Sequence, residues 1–593
     1  MALPAQAARE ERGNLVLDGI PPVSPALAGR VAPWLQARSA RFSGWLPGGS
    51  MLVITRFAES DQLHRVRAPL GAREQLTFGA GVLAAAASPA GGAAAVPFTT
   101  VATGAAPQLR AYRLADRGVQ EITGPGAGRG AFVWSPDGKT VALQGLAADG
   151  LHHDVVAFEP GGGPQLRLYV AAGARSWRPL DWSPDGARLL LENQASPQQG
   201  ELWFADAATG GITQVAFESP PRRVLAARFA PDGRGLYLIA QFEGEFLQLQ
   251  YLDPVANSLR PIGAELPWDV EGFAASPDGR YLALVTNVAG VSRLTVIDQV
   301  ARSELAPPGL PDGRITDLAF DGSGQRLAMT VEAATQPPDA WVYEPATHAL
   351  TRWTQSELGP VDPAAPVAPE LISFPTWDRV AGSARNLPAW IYRPRTPGPH
   401  PVLVRIAGGG EQARPAFDVF TQVAVNVLGY TVIAPNVRGT AGYGRSFASL
   451  GDARREDAIR DIGSLLVWIG LQGDLDRSRV VLMGESQGSL VALGSLAQYS
   501  DRLAGGIDVS GIVTWARIPN TRALRKPLLV VHGAQDPLAP VFEAERLVAN
   551  ARGNGAEVWY LAAKDEEHVL RRKPNRDAWM TTAAAFLERL SGR

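Results

Sequence analysis

Residues 484–488 of this 593-residue chain read Gly-Glu-Ser-Gln-Gly, with Ser486 at the centre. An apolar run, Val-Val-Leu-Met, precedes them at 480–483, and a helix-like segment, Ser-Leu-Val-Ala-Leu, follows at 489–493. A strand, a tight turn and a helix with a serine at the apex form a nucleophile elbow, in which the turn lifts the hydroxyl out of a sheet. The stretch therefore predicts a nucleophilic serine on an α/β sheet.

The pentapeptide also has an ordinary interpretation, as a strand-to-helix loop that happens to contain small residues. Glycine is common here, at 63 of 593 residues, so a serine between two glycines is weak evidence by itself. The surrounding chain favours the elbow. After the proline-rich stretch at 358–366, strand-like runs alternate with helix-like runs, which indicates a mostly parallel sheet. A serine elbow in such a sheet is the α/β-hydrolase plan.

That plan requires a serine, an acid and a histidine in this order along the chain. Asp536 lies just past the apolar run at 528–531, where the acid is expected. His568 lies on the later loop expected for the base, whereas His532 ends the run before Asp536. A helix-capping aspartate and a solvated surface histidine are the alternatives, and the order along the chain favours a triad with Ser486.

The predicted roles follow from the chemistry of acyl transfer. His568 takes the proton of Ser486 as general base and later protonates the leaving group. Asp536 orients the imidazole and stabilises its cation. The sequence thus predicts a catalytic triad that forms an acyl-enzyme on Ser486.

The tetrahedral oxyanion of such a reaction needs preorganised hydrogen-bond donors. The backbone N–H of Gln487 is one predicted donor. The second is expected from the loop Ala-Gly-Gly-Gly at 407–410, at Gly408 or Gly409. A phosphate cradle is the competing interpretation of this loop, but the loop lacks the lysine and the Ser or Thr of a P-loop.

The first 350 residues contain a repeat. Trp-Ser-Pro-Asp-Gly occurs at 134–138 and 182–186, with related copies at 229–233 and 275–279. Pro-Asp-Gly suits a tight turn, and the strong copies precede short apolar runs. A strand, a turn and a strand at a spacing of 42 to 48 residues are typical of a propeller blade, with another all-β array as the alternative. Seven aligned glycines predict seven blades: Gly49, Gly91, Gly138, Gly186, Gly233, Gly279 and Gly324.

The chain is too long for one hydrophobic core, and its composition changes at the proline-rich stretch. We predict three parts. Residues 1–35 form an N-terminal segment expected to pack on the hydrolase domain, residues 36–357 form the seven-bladed β-propeller, and residues 358–593 form the α/β-hydrolase catalytic domain.

Composition excludes several functional classes. The net charge of −2 argues against nucleic acid or an anionic membrane as a partner. The absence of cysteine excludes disulfides, thiolate metal sites and cysteine nucleophiles. No metal-binding pattern is present, and no cofactor is expected. No signal-peptide core occurs near the start and no apolar run of membrane-spanning length occurs, so we expect a cytoplasmic protein.

A β-propeller followed by an α/β-hydrolase domain with these motifs resembles the prolyl oligopeptidase family of serine peptidases, especially its acylaminoacyl peptidase and dipeptidyl peptidase branches. Residues 435–444, Pro-Asn-Val-Arg-Gly-Thr-Ala-Gly-Tyr-Gly, are similar to the family's Asn-x-Arg-Gly-Ser-x-Gly-Tyr-Gly. Residues 532–536, His-Gly-Ala-Gln-Asp, are similar to its His-Gly-x-x-Asp. The resemblance implies the triad Ser486, Asp536 and His568, and hydrolysis of short peptides near their N-termini. It also implies that a homo-oligomer can form.

The chain departs from the family pattern around the nucleophile. Ala407 replaces the histidine of His-Gly-Gly-Pro, and Gly-Glu-Ser-Gln-Gly-Ser replaces Gly-x-Ser-Tyr-Gly-Gly. Leu538 stands where the family often has an arginine that binds a substrate carbonyl. The 50 positions from Ser486 to Asp536 are fewer than in the family, and a helical excursion is expected to be missing between 515 and 526. The predicted substrate-binding residues are Arg438, Tyr443, Leu538 and Glu485.

Three functions therefore compete. The first is a serine peptidase or aminoacyl-cleaving amidase that acts on small peptides. The second is an esterase or an acyl transferase that acts on a specialised small molecule, as the altered surroundings of the serine suggest. The third is a non-catalytic binding protein whose propeller does the binding, which the complete triad argues against.

Overall fold

The computed structural model describes residues 8–88, 95–101, 107–123, 129–147, 151–160, 167–170, 176–196, 199–263, 266–453, 455–512, 518 and 520–592. The chain divides into two units. The propeller unit comprises residues 39–332 and 338–356. The hydrolase unit comprises residues 1–38, 333–337 and 357–593, so it is assembled from segments on both sides of the propeller in sequence.

The described part of the propeller unit contains seven four-stranded sheets, and each sheet uses four strands that are consecutive in the chain. The predicted seven-bladed propeller is therefore confirmed. Blade 1 consists of Ala40–Trp45, Met51–Thr55, Gln62–Val66 and Arg73–Gln75; blade 2 of Gly81–Ala85, Ala95–Val101, Gln108–Arg113 and Val119–Glu121; and blade 3 of Arg129–Trp134, Val141–Leu146, His153–Phe158 and Arg167–Val170. Blade 4 consists of Ser176–Trp182, Arg188–Ser196, Gln199–Asp206 and Ile212–Gln214; and blade 5 of Arg223–Phe229, Leu236–Gln241, Gln248–Asp253 and Ser258–Pro261. Blade 6 consists of Val270–Ala275, Tyr281–Val288, Val291–Asp298 and Ser303–Glu304; and blade 7 of Gly313–Phe320, Leu327–Ala333, Gln336–Glu344 and Ala349–Arg352.

The repeated Pro-Asp-Gly turns join the first strand of a blade to its second strand. The glycine of the turn at 134–138, Gly138, has a φ of 69°, a left-handed conformation that glycine adopts without strain. In the same turn the Ser135 hydroxyl donates to Asp137 over 2.6 Å, which closes the turn from inside. The copy that contains Gly91 lies outside the described residues.

The repeated tryptophans join neighbouring blades. The indole N–H of Trp134 in blade 3 donates to the carbonyl of Ala86 beside blade 2 over 3.2 Å. The indole N–H of Trp182 in blade 4 donates in the same way to Val133 in blade 3 over 3.2 Å. Each ring is buried, so it combines a large apolar contact with one directional bond.

The same device closes the ring of blades. Trp45 of blade 1 donates to the carbonyl of Ala319 in blade 7 over 3.1 Å. Its ring meets Trp353 edge to face at 5.5 Å. The backbone N–H of Phe42 donates to Thr330 of blade 7 over 2.9 Å. The first and last blades therefore meet through side-chain contacts, and among the described strands none is shared between their two sheets.

The hydrolase unit has a ten-stranded sheet, with strands β1 (Glu10–Arg12), β2 (Leu15–Asp18), β3 (Glu370–Val380), β4 (Ser383–Tyr392), β5 (His400–Ile406), β6 (Thr431–Pro435), β7 (Leu475–Glu485), β8 (Gly505–Val509), β9 (Leu528–Gly533) and β10 (Val558–Ala563). Their order in the sheet is β1-β2-β10-β9-β8-β7-β5-β6-β4-β3. The run β6-β5-β7-β8-β9-β10 is parallel, and the flanking pairs are antiparallel.

Seven described helices belong to this unit: α1 (Pro25–Val31), α2 (Val419–Asn426), α3 (Arg445–Ala453), α4 (Arg455–Gly470), α5 (Gly488–Gln498), α6 (Val541–Gly553) and α7 (Lys573–Ser591). The middle stretches of the central parallel strands, such as 402–404 of β5, 480–483 of β7 and 528–531 of β9, are apolar and buried, as expected when helices cover both faces of a sheet. Val480 in β7, for example, packs in one core cluster with Leu465 of α4 and Leu493 of α5. This architecture confirms the predicted α/β-hydrolase domain.

The N-terminal segment contributes the edge of this sheet. Strand β2 pairs antiparallel with β10, with Leu17 opposite Leu561. Val16 is buried in the core cluster of the unit. Among the described residues, no helix is both long and apolar enough to cross a membrane.

Candidate active site

Ser486 occupies a sharp turn between β7 and α5. Its φ is 53°, a left-handed conformation that costs a residue with a Cβ energy unless the surroundings impose it. The flanking glycines are required by close approaches. A Cβ at Gly484 would lie 2.5 Å from the Cα of Ser489, and a Cβ at Gly488 would lie 2.4 Å from the carbonyl oxygen of Ala407. The predicted elbow is therefore present, with its serine at the C-terminal end of a central strand.

The structure brings together the three residues predicted as a triad. The Ser486 hydroxyl lies 2.9 Å from Nε2 of His568. Nδ1 of His568 lies 2.7 Å from Oδ2 of Asp536. Because Nδ1 faces a carboxylate, it carries the proton, which leaves Nε2 free to accept from the hydroxyl. This is the tautomer that general-base catalysis requires.

The Asp536 carboxylate is fully buried and held in place from several sides. Its Oδ1 accepts the backbone N–H groups of Leu538 over 2.8 Å and of Ala539 over 3.0 Å. Its side chain has no solvent exposure, whereas that of His568 is 18% exposed. The acid is thus fixed inside the unit, while the imidazole can reach a substrate.

The glycine loop after β5 passes directly beside the nucleophile. A Cβ at Gly408 would lie 2.7 Å from Cβ of Ser486, so only glycine allows this approach. The N–H of Ser486 itself donates to Val509 over 3.0 Å. Gln487 lies at the N-terminus of α5, where backbone N–H groups and the helix dipole favour a negative charge. The backbone of Gly408 therefore passes beside Ser486, and Gln487 follows the serine at the start of α5. The oxyanion hole formed by Gln487, Gly408 and Gly409 stays a prediction.

Residues 435–444 brace the glycine loop. The amide side chain of Asn436 accepts from the N–H of Ala413 over 2.7 Å, and it donates to the hydroxyl of Tyr443 over 3.1 Å. The N–H of Ala441 donates to the carbonyl of Gly410 over 2.8 Å. Tyr443 was predicted to bind substrate, and the structure gives its hydroxyl a partner within the unit. Burial raises the pKa of this phenol.

Arg438, also predicted to bind substrate, is buried within the unit. Its guanidinium donates to both carboxylate oxygens of Asp461, one of them over 2.5 Å, and to Asp378 over 3.1 Å. It also lies over the ring of Trp377, at 4.6 Å. These contacts use the guanidinium to hold α4 and β3 against the loop after β6, which supports a structural role.

Glu485, the residue before the nucleophile, pairs with Arg405 of β5 over 2.5 Å. Arg405 also contacts Asp418 and Thr421 at the start of α2. Burial alone would lower the pKa of this arginine, but the two carboxylates outweigh it and raise the pKa. The Glu485 side chain remains 40% exposed, so it combines a strand-to-strand link with a surface that faces solvent.

The fourth predicted substrate-binding residue, Leu538, is 61% exposed. It lies two positions after Asp536 and is held there by its N–H bond to that carboxylate. Val569, the neighbour of His568, is 51% exposed. Two apolar side chains are therefore exposed to solvent on the loops that carry Asp536 and His568.

Sequence reasoning did not find several residues of this site. Arg405 and Asn436 organise the elbow and the glycine loop from strands that are distant in sequence. Asp508 and His532 are buried in β8 and β9, and Nε2 of His532 lies 3.6 Å from Oδ2 of Asp536. The expected loss of an excursion between 515 and 526 falls partly outside the described residues. In the described part of the chain, no cluster of His, Asp and Glu could hold a metal ion.

Residues 415–524 and 514–593 match the model of the prolyl oligopeptidase family. Residues 415–593 form a prolyl oligopeptidase family domain. This confirms the family resemblance found in the motifs, and it covers the elbow, the acid and the base.

Two known proteins match this chain over part of their length. Dipeptidyl aminopeptidase BIII of Pseudoxanthomonas mexicana is 26% identical over 470 residues, which cover 69% of this chain and 64% of that protein. Dipeptidyl peptidase family member 6 of Caenorhabditis elegans is 26% identical over 213 residues, 29% of each chain. The matched regions thus span less than two thirds of these relatives.

Solved structures share both domains. A puromycin hydrolase superposes with a TM-score of 0.81 at 20% identity, covering 97% of this chain and 98% of that one. A Mycobacterium tuberculosis puromycin-hydrolyzing peptidase gives a TM-score of 0.75 at 18% identity, with 96% of each chain covered. A prolyl endopeptidase gives 0.79 at 14% identity, over 95% of this chain and 91% of that one. At these identities the likeness establishes the fold, a propeller followed by a hydrolase domain.

Proposed function

We propose that this protein is a serine hydrolase of the prolyl oligopeptidase type that cleaves peptide or aminoacyl-amide bonds of small peptides. The observation that carries the proposal is the continuous chain of contacts from Ser486 through His568 to Asp536, at 2.9 Å and 2.7 Å. No separate activation of the hydroxyl is needed, because the base already accepts its hydrogen bond.

The reaction proceeds through an acyl-enzyme. Ser486 Oγ attacks the scissile carbonyl while His568 Nε2 takes its proton, and the Asp536 carboxylate stabilises the resulting imidazolium. The oxyanion receives the N–H of Gln487 and one from Gly408 or Gly409. His568 then protonates the leaving amine, the C–N bond breaks, and a water activated by the same imidazole hydrolyses the ester to Ser486.

The names of similar proteins support the substrate class. They include a dipeptidyl aminopeptidase and two enzymes that hydrolyse puromycin, itself an aminoacyl amide. Aminoacyl amides with a free amino group are therefore the first substrates to test. Glu485, with its half-exposed carboxylate beside the nucleophile, is our proposed contact for that amino group.

The test is a panel of aminoacyl-p-nitroanilides, dipeptidyl-p-nitroanilides and puromycin. We expect release of the amine by the wild-type protein and a loss of more than about 10⁴-fold in kcat/KM for Ser486→Ala. Circular dichroism and thermal unfolding of the variant should match the wild type, since the serine is only half-buried and its hydroxyl bonds the partly exposed His568. Wild-type turnover in Ser486→Ala would contradict the assignment of the nucleophile.

An esterase or acyl transferase is the second candidate, and Leu538 favours it. The side chain is exposed, apolar and close to the acid, where a family arginine would bind a peptide carbonyl. An apolar substrate without a peptide carbonyl at this place would suit the site better. Turnover of p-nitrophenyl esters without any turnover of anilides or puromycin would select this candidate.

A non-catalytic propeller binding protein is the third candidate, and a fluorophosphonate probe tests it. Covalent labelling of Ser486 in folded protein shows a competent nucleophile, and an absence of labelling would favour binding without catalysis. The cytoplasmic location and the homo-oligomer stay predictions. Fractionation and light scattering, respectively, test them.

A further inference from the structure

The loop that carries His568 lies between the end of β10 and the start of α7. We call its residues, 564–572, the base loop. Two neighbouring acids of this loop are buried, Asp565 at 8% exposure and Glu566 at 4%. Acidic side chains are almost never buried unless they are paired. The partners of these two acids therefore show what holds the base loop in place.

The carboxylate of Glu566 binds the far end of the base loop. Its Oε2 accepts the backbone N–H of Arg571 over 3.0 Å, and its Oε1 accepts that of Arg572 over 2.9 Å. Glu566 comes before His568 in the chain, and both donors come after it. The carboxylate therefore bridges the loop across the base. It does so with charge-assisted hydrogen bonds, which are stronger than bonds between neutral groups.

The backbone of Glu566 joins the base loop to the loop between β9 and α6, residues 534–540, which we call the acid loop. Its carbonyl accepts the N–H of Gln535, the residue before Asp536, over 2.9 Å. Gly533 allows this approach, because a Cβ there would lie 2.7 Å from the same carbonyl oxygen. Glu566 therefore bonds the base loop to itself through its side chain and to the acid loop through its main chain.

Asn575, in the first turn of α7, holds both acids. Its side-chain amide donates to Oε1 of Glu566 and to Oδ1 of Asp565, each over 2.9 Å. Asp565 also accepts from the side chains of Asn14, over 2.8 Å, and of Arg572. The two neighbouring acids thus differ in what they hold. In the described part of the chain the carboxylate of Glu566 bonds the backbone of the base loop, whereas that of Asp565 bonds side chains only.

We propose that Glu566 is a positioning residue: by closing the base loop and bonding it to the acid loop, it keeps His568 between Ser486 and Asp536. This role rests on the proposed serine hydrolase function. The carboxylate of Glu566 bonds neither Ser486 nor His568, and it takes no part in proton transfer. It raises the fraction of time during which Nε2 of His568 lies within hydrogen-bond reach of the serine hydroxyl, as proton transfer requires.

A role in stability alone is the alternative. A buried acid with three partners also holds the start of α7, where the helix dipole favours a negative charge. The two roles differ in what they do to the folded protein. A loss of stability lowers the folded fraction and leaves kcat per folded molecule unchanged, whereas a misplaced base lowers kcat itself.

Glu566→Gln is the first variant, because it keeps the shape of the side chain. One oxygen can still accept, but the other is replaced by an NH2 group that faces a backbone N–H and cannot accept it. At temperatures where the variant is fully folded, we expect kcat to fall about tenfold with KM within about twofold. Glu566→Ala, which removes all three bonds, should lower kcat about 100-fold.

Proton NMR provides a readout that does not depend on turnover. The Nδ1 proton of His568, held against Asp536 at an N–O distance of 2.7 Å, should give a resonance far downfield of the backbone amides. In Glu566→Gln this resonance should move upfield or broaden, because the imidazole then samples positions in which the bond is longer. Asp536→Asn lacks the carboxylate and should abolish the resonance, which assigns it.

Asp565→Asn is the matched control. It neutralises the adjacent buried acid of the same loop, whose partners are side chains. It should lower Tm, because it breaks a buried ion pair, yet keep kcat within about twofold and keep the downfield resonance. If Glu566→Gln does not fold, Asn575→Ala replaces it, since it removes one donor to the Glu566 carboxylate. Its kcat should be about threefold below that of Asp565→Asn.

Fluorophosphonate labelling of Ser486 separates this role from the proposed function. A wild-type protein that is not labelled overturns the proposed function and the role of Glu566 with it. A labelled wild type whose Glu566→Gln variant keeps kcat and the downfield resonance overturns the positioning role alone, and so does an equal loss of kcat in Asp565→Asn. A lower kcat and a displaced resonance in Glu566→Gln, with both preserved in Asp565→Asn, support the positioning role.

Discussion

At the residue scale, the position of the proposed nucleophile depends on a neighbouring residue that has no side chain. Gly408 passes Ser486 so closely that a methyl group would overlap its Cβ. Ser486 itself is held at a positive φ by the turn and by its N–H bond to Val509. Because Gly408 has no side chain, the backbone of the glycine loop can approach Ser486, where the proposed oxyanion donors are needed.

Gly408→Ala tests this requirement. The new methyl would lie 2.7 Å from Cβ of Ser486 and 2.9 Å from the carbonyl of Glu485, so the loop or the elbow must move. We expect kcat to fall about 100-fold or more, with a small change in Tm, because one oxyanion donor is displaced. Steady-state kinetics measure the effect. Gly473→Ala, where a methyl meets open space, should keep wild-type kinetics.

The triad was predictable from the sequence because its chain order and its positions after strands are fixed by the fold. The environment of the triad was not. Glu485 was predicted to bind substrate, but its partner Arg405 lies 80 residues away in sequence and becomes its neighbour only through the pairing of β5 with β7. The partners of Arg438 are equally remote, since Asp461 lies on α4 and Asp378 on β3.

At the element scale, the 435–444 segment acts on the glycine loop through one buried asparagine. Asn436 is fully buried and bonds the loop at Ala413 from two sides. Among the described residues of the segment, Asn436 is the one that forms hydrogen bonds with Ala413. The segment therefore positions the oxyanion donors from a different strand.

Asn436→Ala should loosen the loop. We expect kcat to fall by about tenfold or more with a smaller change in KM, because a displaced oxyanion donor weakens the transition state more than the bound substrate. The kinetics are measured on the best substrate of the panel. Asn426→Ala, which removes an amide that bonds only within α2, should leave kcat unchanged.

The blades offer a second test at this scale. Trp182→Phe keeps an aromatic ring but removes the N–H bond to Val133, so the free energy of unfolding of the propeller should fall by about 1 kcal/mol or more. Denaturant unfolding followed by circular dichroism measures it. Trp203→Phe removes an indole N–H that is buried without a partner, and it should cost less or even stabilise.

At the scale of the whole molecule, the hydrolase unit is discontinuous in sequence. Its sheet includes β2 from before the propeller, paired with β10 from near the end of the chain. The blades follow from the sequence repeat, because each turn recurs at one period. The pairing of β2 did not follow from a pattern, since two short strands so far apart carry no shared signal beyond their apolar residues.

Val16→Asp tests the membership of the N-terminal segment. It places a charge in the buried core of the hydrolase unit and should destabilise that unit by about 2 kcal/mol or more. Hydrogen exchange should become faster in peptides from β2 and β10, whereas peptides from the blades keep their protection. Glu11→Ala, which removes only an exposed ion pair with Lys564, should have little effect. Faster exchange confined to the blades would contradict this assignment.

The pairing of β2 with β10 also sets a waiting time during synthesis. Asn14 bonds Asp565, 551 residues later, so the first strands leave the ribosome long before their partner exists. At about 5–20 residues per second this interval is roughly half a minute to two minutes. The propeller can form within it, while β1 and β2 remain an unpaired edge. The edge formed by β1 and β2 is therefore exposed to aggregation until β10 has been translated, which is after Ser486 and Asp536, and a chaperone would have to shield it for that whole interval.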